Sequence, residues 1–199
     1  MDSEPAALTA RRAVVAPVPW TWLRQVHGSR VVVVTEPGEH AGEEADAAVT
    51  IAPGAVVAVQ TADCAPVVLT AGTAVGVAHV GWRGLLSGVL ENTVAVVREH
   101  GSLAVTAQVG PSIGPECYEF GESDLGAVVA RYGEGARSRT AHGSVALDLW
   151  AAIRVALAEL DIVLPPDRPP CTGCDGQHYF SHRARRERER MATIVYRVQ

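Results

Sequence analysis

No stretch of this sequence is apolar for long enough to cross a bilayer: the longest runs break after about ten residues, where about 20 are needed. An excess of positive charge is missing too. Lys and Arg number 17 against 22 Asp and Glu, a net charge of −5. That balance speaks against a nucleic-acid surface, although a small anion can still sit in a local basic pocket. The opening Met1-Asp2-Ser3-Glu4-Pro5 has acidic residues where a secretory leader needs basic ones, so the expectation is a cytoplasmic protein with no membrane partner. Internal repeats and low-complexity tracts are also lacking. Cysteines number only four in 199 residues. A chain of this length buries a sufficient core without disulfides, and in a reducing compartment cysteine more often serves a metal or catalysis.

What is present is the composition of a globular domain, 48% hydrophobic and 20% charged. Residues 1–19 are rich in Ala, Arg and Pro and read as an N-terminal arm or short helix; residues 20–199 read as a single domain. Val31-Val32-Val33-Val34 predicts a buried strand. Further strands are expected from Ala55 to Gln60 and from Val67 to Leu69, separated by the polar break Thr61-Ala62-Asp63-Cys64. A turn at Ala71-Gly72-Thr73 should lead into a hairpin partner ending at His79. Leu85, Leu86, Val89, Leu90, Thr93, Val94 and Val97 recur at helical spacing, with Gly101 suited to a left-handed stop. A strand from Leu103 to Val109, a helix from Glu122 to Arg131, a longer helix capped by Asp148 and a last strand from Met191 follow. Strands and helices are mixed without regular βαβ alternation, which makes the fold class α+β.

Polar residues stand in apolar surroundings in three short segments: Gln25-Val26-His27-Gly28, Thr61-Ala62-Asp63-Cys64-Ala65-Pro66 and Ala78-His79-Val80-Gly81-Trp82-Arg83-Gly84. Each places a possible metal ligand where an element meets a turn, the kind of junction on which sites are built. Taken singly, such a cysteine is more often an inert small hydrophobe and such a histidine a satisfied core residue. Taken together, His27, Cys64 and His79 form a chemically sensible set. Imidazole and thiolate suit Zn²⁺, three protein ligands leave a fourth position open, and the same ligands suit copper.

Two later segments belong with these three: Val109-Gly110-Pro111-Ser112-Ile113-Gly114 with Cys117-Tyr118-Glu119, and Cys171-Thr172 with Tyr179-Phe180-Ser181-His182-Arg183. In this order they resemble the YfiH-type family, also called the multicopper polyphenol oxidase (laccase-like) family, over residues 20–199. The resemblance implies two packed mixed β-sheets flanked by helices, a four-layer α/β/β/α sandwich. It implies a metal on His27, Cys64 and His79. It further implies a zinc-dependent purine nucleoside phosphorylase that also deaminates adenosine and cleaves methylthioadenosine, with purine nucleosides and phosphate as partners. The alternative is a copper-dependent polyphenol oxidase. A trinuclear copper centre draws on many histidines, typically in His-x-His pairs, whereas this chain has seven histidines and no such pair; its two methionines are Met1 and Met191. One metal therefore fits better than several.

For that activity Asp63 is the candidate proton shuttle, with a plain turn carboxylate as its other reading. Arg83 is the candidate phosphate-binding and catalytic cation, and Ser112 and Arg183 are candidate substrate-binding residues. Gly81 and Gly84 would allow close backbone approach to a ligand or tight packing. Trp82 could stack on a flat substrate. Cys171-x-x-Cys174 resembles half of a zinc ribbon without a second pair, and Arg183 to Arg190 reads as a solvated face. The resemblance also implies a longer lead-in before Gln25, and a Gly-Arg-Met turn of which Arg190-Met191 remains. A pocket wall is accordingly expected to be short, leaving open an inactive metal-binding relative.

Overall fold

The computed structural model describes residues 5–198; Met1 to Glu4, the start of the expected arm, lie outside the described residues. The chain opens with α1 (Pro5–Val15), β1 (Trp20–Trp22), β2 (Val31–Val34), β3 (Ala47–Thr50) and β4 (Val56–Thr61). The hairpin β5 (Ala65–Ala71) and β6 (Ala74–Val80) follows, then α2 (Trp82–Leu86), α3 (Val89–His100) and β7 (Thr106–Val109). The remainder comprises α4 (Glu122–Tyr132), β8 (Arg137–Arg139), β9 (Val145–Leu147), α5 (Leu149–Ala158), α6 (His182–Arg185) and β10 (Met191–Val195).

Two mixed sheets carry the fold. The larger runs β2-β3-β6-β5-β7 and the smaller β1-β4-β10; β8 and β9 form a separate ribbon. Side-chain alternation along the strands explains the layering. On β3, β5 and β6, Ala47, Val49, Val67, Leu69 and Ala78 face Leu85, Leu90, Val94, Leu125 and Ile153 of the helices. From the opposite face of the larger sheet, Ala48 and Val77 meet Val57 and Val59 of β4. The outward residues of β4, Val56 and Ala58, are covered by Ala16 and Trp20, and Arg12 of α1 lies over the Trp20 and Trp22 rings at 5.7 and 5.4 Å. The result is the mixed helix–sheet–sheet–helix packing expected.

Several local expectations change in detail. The valine run is an edge strand, paired only to β3, so it buries every second residue, Val32 and Val34, instead of its whole length. The helix over Leu85 to Val97 is broken in two at Gly88, whose φ of 87° glycine tolerates freely. Gly101 does end α3, but with φ −126° and not left-handed; a Cβ there would strike the Ala71 carbonyl. Asp148 caps α5 as expected, accepting the Ala151 N–H at 2.9 Å.

One topological fact positions the site. The polar break after β4 is where the chain leaves the smaller sheet and enters the larger one. Asp63 makes the crossing with φ 98°, a left-handed conformation that aspartate accepts more readily than most residues. Cys64 is thereby set at the seam, beside the end of β6 where His79 lies.

Candidate metal centre

The sequence places His27, Cys64 and His79 far apart; the fold gathers them. One ligand atom from each lies within 4.8 Å of the other two. Cys64 Sγ is 3.7 Å from His27 Nε2, and the two imidazoles meet edge to face with centroids 4.7 Å apart. Gly81 makes room for this: a Cβ there would fall 2.9 Å from His27 Cδ2 and 3.0 Å from Cys64 Sγ. Gly84 is tight for another reason, since its Cβ would lie 3.1 Å from the Gly28 carbonyl.

The arrangement rests on Asp46, a fully buried carboxylate. It accepts the His27 N–H at 2.9 Å, the Gly28 N–H at 2.7 Å and the Val26 N–H at 3.2 Å. This pins the turn in which His27 adopts φ 60°. The same carboxylate meets His79 Nδ1 at 2.8 Å. A carboxylate can only accept here, so Nδ1 carries a proton and Nε2 is left as the atom at which a cation would bind in place of a proton, the usual support for a metal-binding histidine. Burial opposes the Asp46 charge, yet His79 and the Gly28 and Val26 amides outweigh it and hold the carboxyl below its ordinary range. Nothing in the sequence analysis singled out Asp46. Its signal was slight: an acid two residues after Glu43-Glu44 and directly ahead of the apolar Ala47-Ala48-Val49.

Electrostatics favour a thiolate even before a cation binds. Burial alone would raise the Cys64 thiol, but hydrogen bonds from His27 and His79 and the His79 charge lower it to about 6. His79, against the lowering effect of its own burial, is raised to about 9 by Asp46 and Cys64. Two imidazoles and an ionised sulfur, tautomer fixed and glycine-spaced, fit a divalent soft or borderline cation with an open fourth position.

The other expected site residues divide. Asp63 has both oxygens committed: Oδ1 accepts the Thr172 and Ser181 hydroxyls at 2.8 and 2.6 Å, and Oδ2 the Arg183 N–H at 2.6 Å. Three of about four lone-pair sites are therefore occupied, which favours the turn-carboxylate reading. Arg83 is exposed and stacks on Trp82 at 4.2 Å. Arg183 stacks on Tyr118 at 4.9 Å and donates to the Glu119 carbonyl at 2.6 Å. Trp82, Phe120 and Tyr118 stand edge to face in series, 5.4 and 5.2 Å apart. Burial, then the negative Cys64, push the Tyr118 hydroxyl well above its ordinary value, with Arg183 and Arg83 opposing. The two arginines thus border a row of aromatic rings. Ser112 is buried in a bridge to Cys171, its amide donating to the Pro170 carbonyl.

With the candidate three-ligand site at the seam of two packed sheets described, comparison with known proteins gives the family. The family model described as multi-copper polyphenol oxidoreductase laccase matches residues 3–198, and the chain belongs to that family. A purine nucleoside phosphorylase of Xylella fastidiosa (strain Temecula1) is 42% identical over 185 residues, covering 88% of this chain and 71% of that protein. The purine nucleoside phosphorylase YfiH of Escherichia coli K12 is 38% identical over 183 residues, covering 89% and 73%. Among solved structures, a Neisseria meningitidis protein superimposes with TM-score 0.86 at 31% identity over 100% of this chain and 84% of that one. YlmD of Geobacillus stearothermophilus gives TM-score 0.81 at 28% identity, over 96% and 79%.

Proposed function

We propose that this protein is a zinc-dependent purine nucleoside phosphorylase that also deaminates adenosine and cleaves methylthioadenosine. One observation carries the reading: His27, Cys64 and His79 converge within 4.8 Å with His79 oriented by a buried Asp46. The names of the similar phosphorylases supply the substrate class. A divalent ion held there would supply Lewis acidity at its open position.

The chain's own residues have separate tasks in this scheme. In phosphorolysis a phosphate oxygen bonds to ribose C1′ while the bond from C1′ to the purine nitrogen breaks, so an anion must be held beside a flat base. Arg83 and Arg183 provide the guanidinium donors for the phosphate. Trp82, half-buried, provides aromatic surface for the base, with the buried Phe120 and Tyr118 packed in series behind it. Asp63 positions Arg183 by holding its amide, and Ser112 anchors the adjoining loop to Cys171. A cavity of about 690 Å³ lies elsewhere, between α1 and the smaller sheet, lined by Leu8, Arg12, Trp22 and Phe180 among others. It contains none of the three candidate ligands, and the proposed reacting centre is the metal site.

The copper-oxidase alternative draws on the family's description and on a ligand set that copper also accepts. Against a multicopper centre, only one described cluster of possible ligands contains histidine, and it contains two. The test is turnover of inosine, adenosine and methylthioadenosine with and without phosphate, beside oxygen uptake on a phenol. Phosphate-dependent release of free base, lost in His27→Ala and Cys64→Ala and reduced in Arg83→Ala, is expected. Wild-type rates in all three variants would remove this site from the reaction.

A further inference from the structure

A second group of ligands stands apart from the first. We propose that Glu116, Cys117, Cys171 and Cys174 bind a structural zinc ion through three thiolates and one carboxylate.

The four donor atoms all lie within 4.8 Å of one another. Cys174 Sγ is 3.4 Å from Cys117 Sγ and 3.4 Å from Glu116 Oε1. In a tetrahedral site with Zn–S about 2.3 Å and Zn–O about 2.0–2.2 Å, neighbouring donors sit about 3.5–3.8 Å apart. The observed group reaches that shape by side-chain adjustments of about an ångström or less. Cys171-Thr172-Gly173-Cys174 lacks a second cysteine pair in the sequence, and the fold replaces it with Glu116 and Cys117, more than fifty residues upstream.

Backbone contacts independent of any metal hold the two halves together. Cys117 ends a 3-10 turn, Pro115–Cys117, with its amide donating to the Gly114 carbonyl at 3.0 Å. Cys171 bridges to Ser112, and the Thr172 amide donates to the Ser112 carbonyl at 3.1 Å. The Gly114 amide points at Cys171 Sγ, 3.1 Å away, an N–H to sulfur contact of the kind that steadies metal thiolates. Gly173 has to be glycine for the turns to meet: a Cβ there would lie 2.6 Å from Cys117 Cβ and 2.9 Å from its Sγ. Three thiols and a carboxyl converging on one point mutually repel once ionised, and a cation relieves this. A Cys117–Cys174 disulfide would use two of the four donors and leave Cys171 and Glu116 unexplained.

The site shares no ligand with the first, but it adjoins the same wall. Thr172, between two of its cysteines, donates to Asp63, the neighbour of Cys64. A structural ion would fix the loop that packs against the reacting centre.

The experiment counts metal on the reduced full chain, stripped with a chelator and reconstituted with Zn²⁺ or Co²⁺. Wild type should bind two zinc ions per chain. His27→Ala/Cys64→Ala should keep one, and its cobalt form should keep a thiolate-to-cobalt charge-transfer band, since its thiolates can then come only from the second group. Cys171→Ser/Cys174→Ser should also keep one. Should that double variant fail to fold, Cys174→Ser alone, at an exposed position, should weaken one of the two sites at least tenfold in chelator competition. A single zinc in wild type that disappears with His27 and Cys64 would overturn the proposal, as would a Cys117–Cys174 disulfide persisting in the isolated protein or two zinc ions retained without Cys171 and Cys174.

Discussion

Asp46 is fully buried, and three backbone amides and one imidazole converge on its two oxygens. Replacing one oxygen by an amide group in Asp46→Asn sets N–H against N–H on at least one face and removes the charge that raises His79. Metal affinity at His27, Cys64 and His79 should fall about 10- to 100-fold, read by competition with a chromophoric chelator, while the far-ultraviolet dichroism stays native. Unchanged affinity would show that the His79 ring is held by packing alone. At Cys64 the prediction concerns pH. With metal removed, its depressed value means thiolate accumulates as pH rises through about 6, whereas an ordinary thiol needs about 8.5. Alkylation of Cys64 in stripped protein should therefore level off above neutral pH while an unactivated thiol is still accelerating. Bound zinc should suppress it. A midpoint near the ordinary value would mean that the two histidines do not stabilise the sulfur anion.

Within elements, most of what the chain does is set locally, and the exceptions mark where it is not. The Asp148 cap was readable because an N-cap depends on neighbours three residues away. Its second role was not: Arg168, twenty residues on, grips both Asp148 oxygens at 2.9 and 2.6 Å and lies over Trp150 at 4.8 Å. Asp148→Ala should lower unfolding free energy by about 1–2 kcal/mol, toward the upper end because the arginine loses its partner, as measured by urea denaturation. A change within a few tenths would make the cap dispensable. Strands β5 and β6 could be read from their apolar runs and the Gly72 turn. Missed were β1, β3, β8 and β9, of three or four residues each, too short for periodicity to register. Sheet membership was hidden as well, because β4 and β5 are adjacent in sequence yet pair in different sheets. That His27, Cys64 and His79 belong to one candidate site was recognisable from motif order. Asp46 and the pairing of Glu116 with the distant cysteines were not, since both depend on side chains brought together only by the finished fold.

At the scale of the whole molecule, the crossing between the sheets is tied to the C-terminal third through one carboxylate. Asp63 accepts from Thr172, Ser181 and Arg183, partners 109 to 120 residues away. Residues 172–187 otherwise form little regular structure: α6 spans four residues, and Arg185 ties the segment to itself through the Thr172, Gly173 and Tyr179 carbonyls. Asp63→Asn keeps the side-chain shape and tolerates the left-handed backbone, but it presents N–H to at least one donor that needs an acceptor. Each buried donor left unsatisfied costs about 1–3 kcal/mol, more than a loop of this kind can recover by relaxing. Amide exchange across residues 172–187 should therefore quicken in Asp63→Asn, with β5 and β6 protected as before. Turnover should fall chiefly through weaker substrate binding, a raised KM, because Arg183 loses its fixed amide. A proton shuttle would behave differently. Its loss would depress kcat, leave KM near wild type and leave exchange over 172–187 unchanged. Measuring both quantities on the same variant separates a residue that moves a proton from one that holds the wall of the site in place.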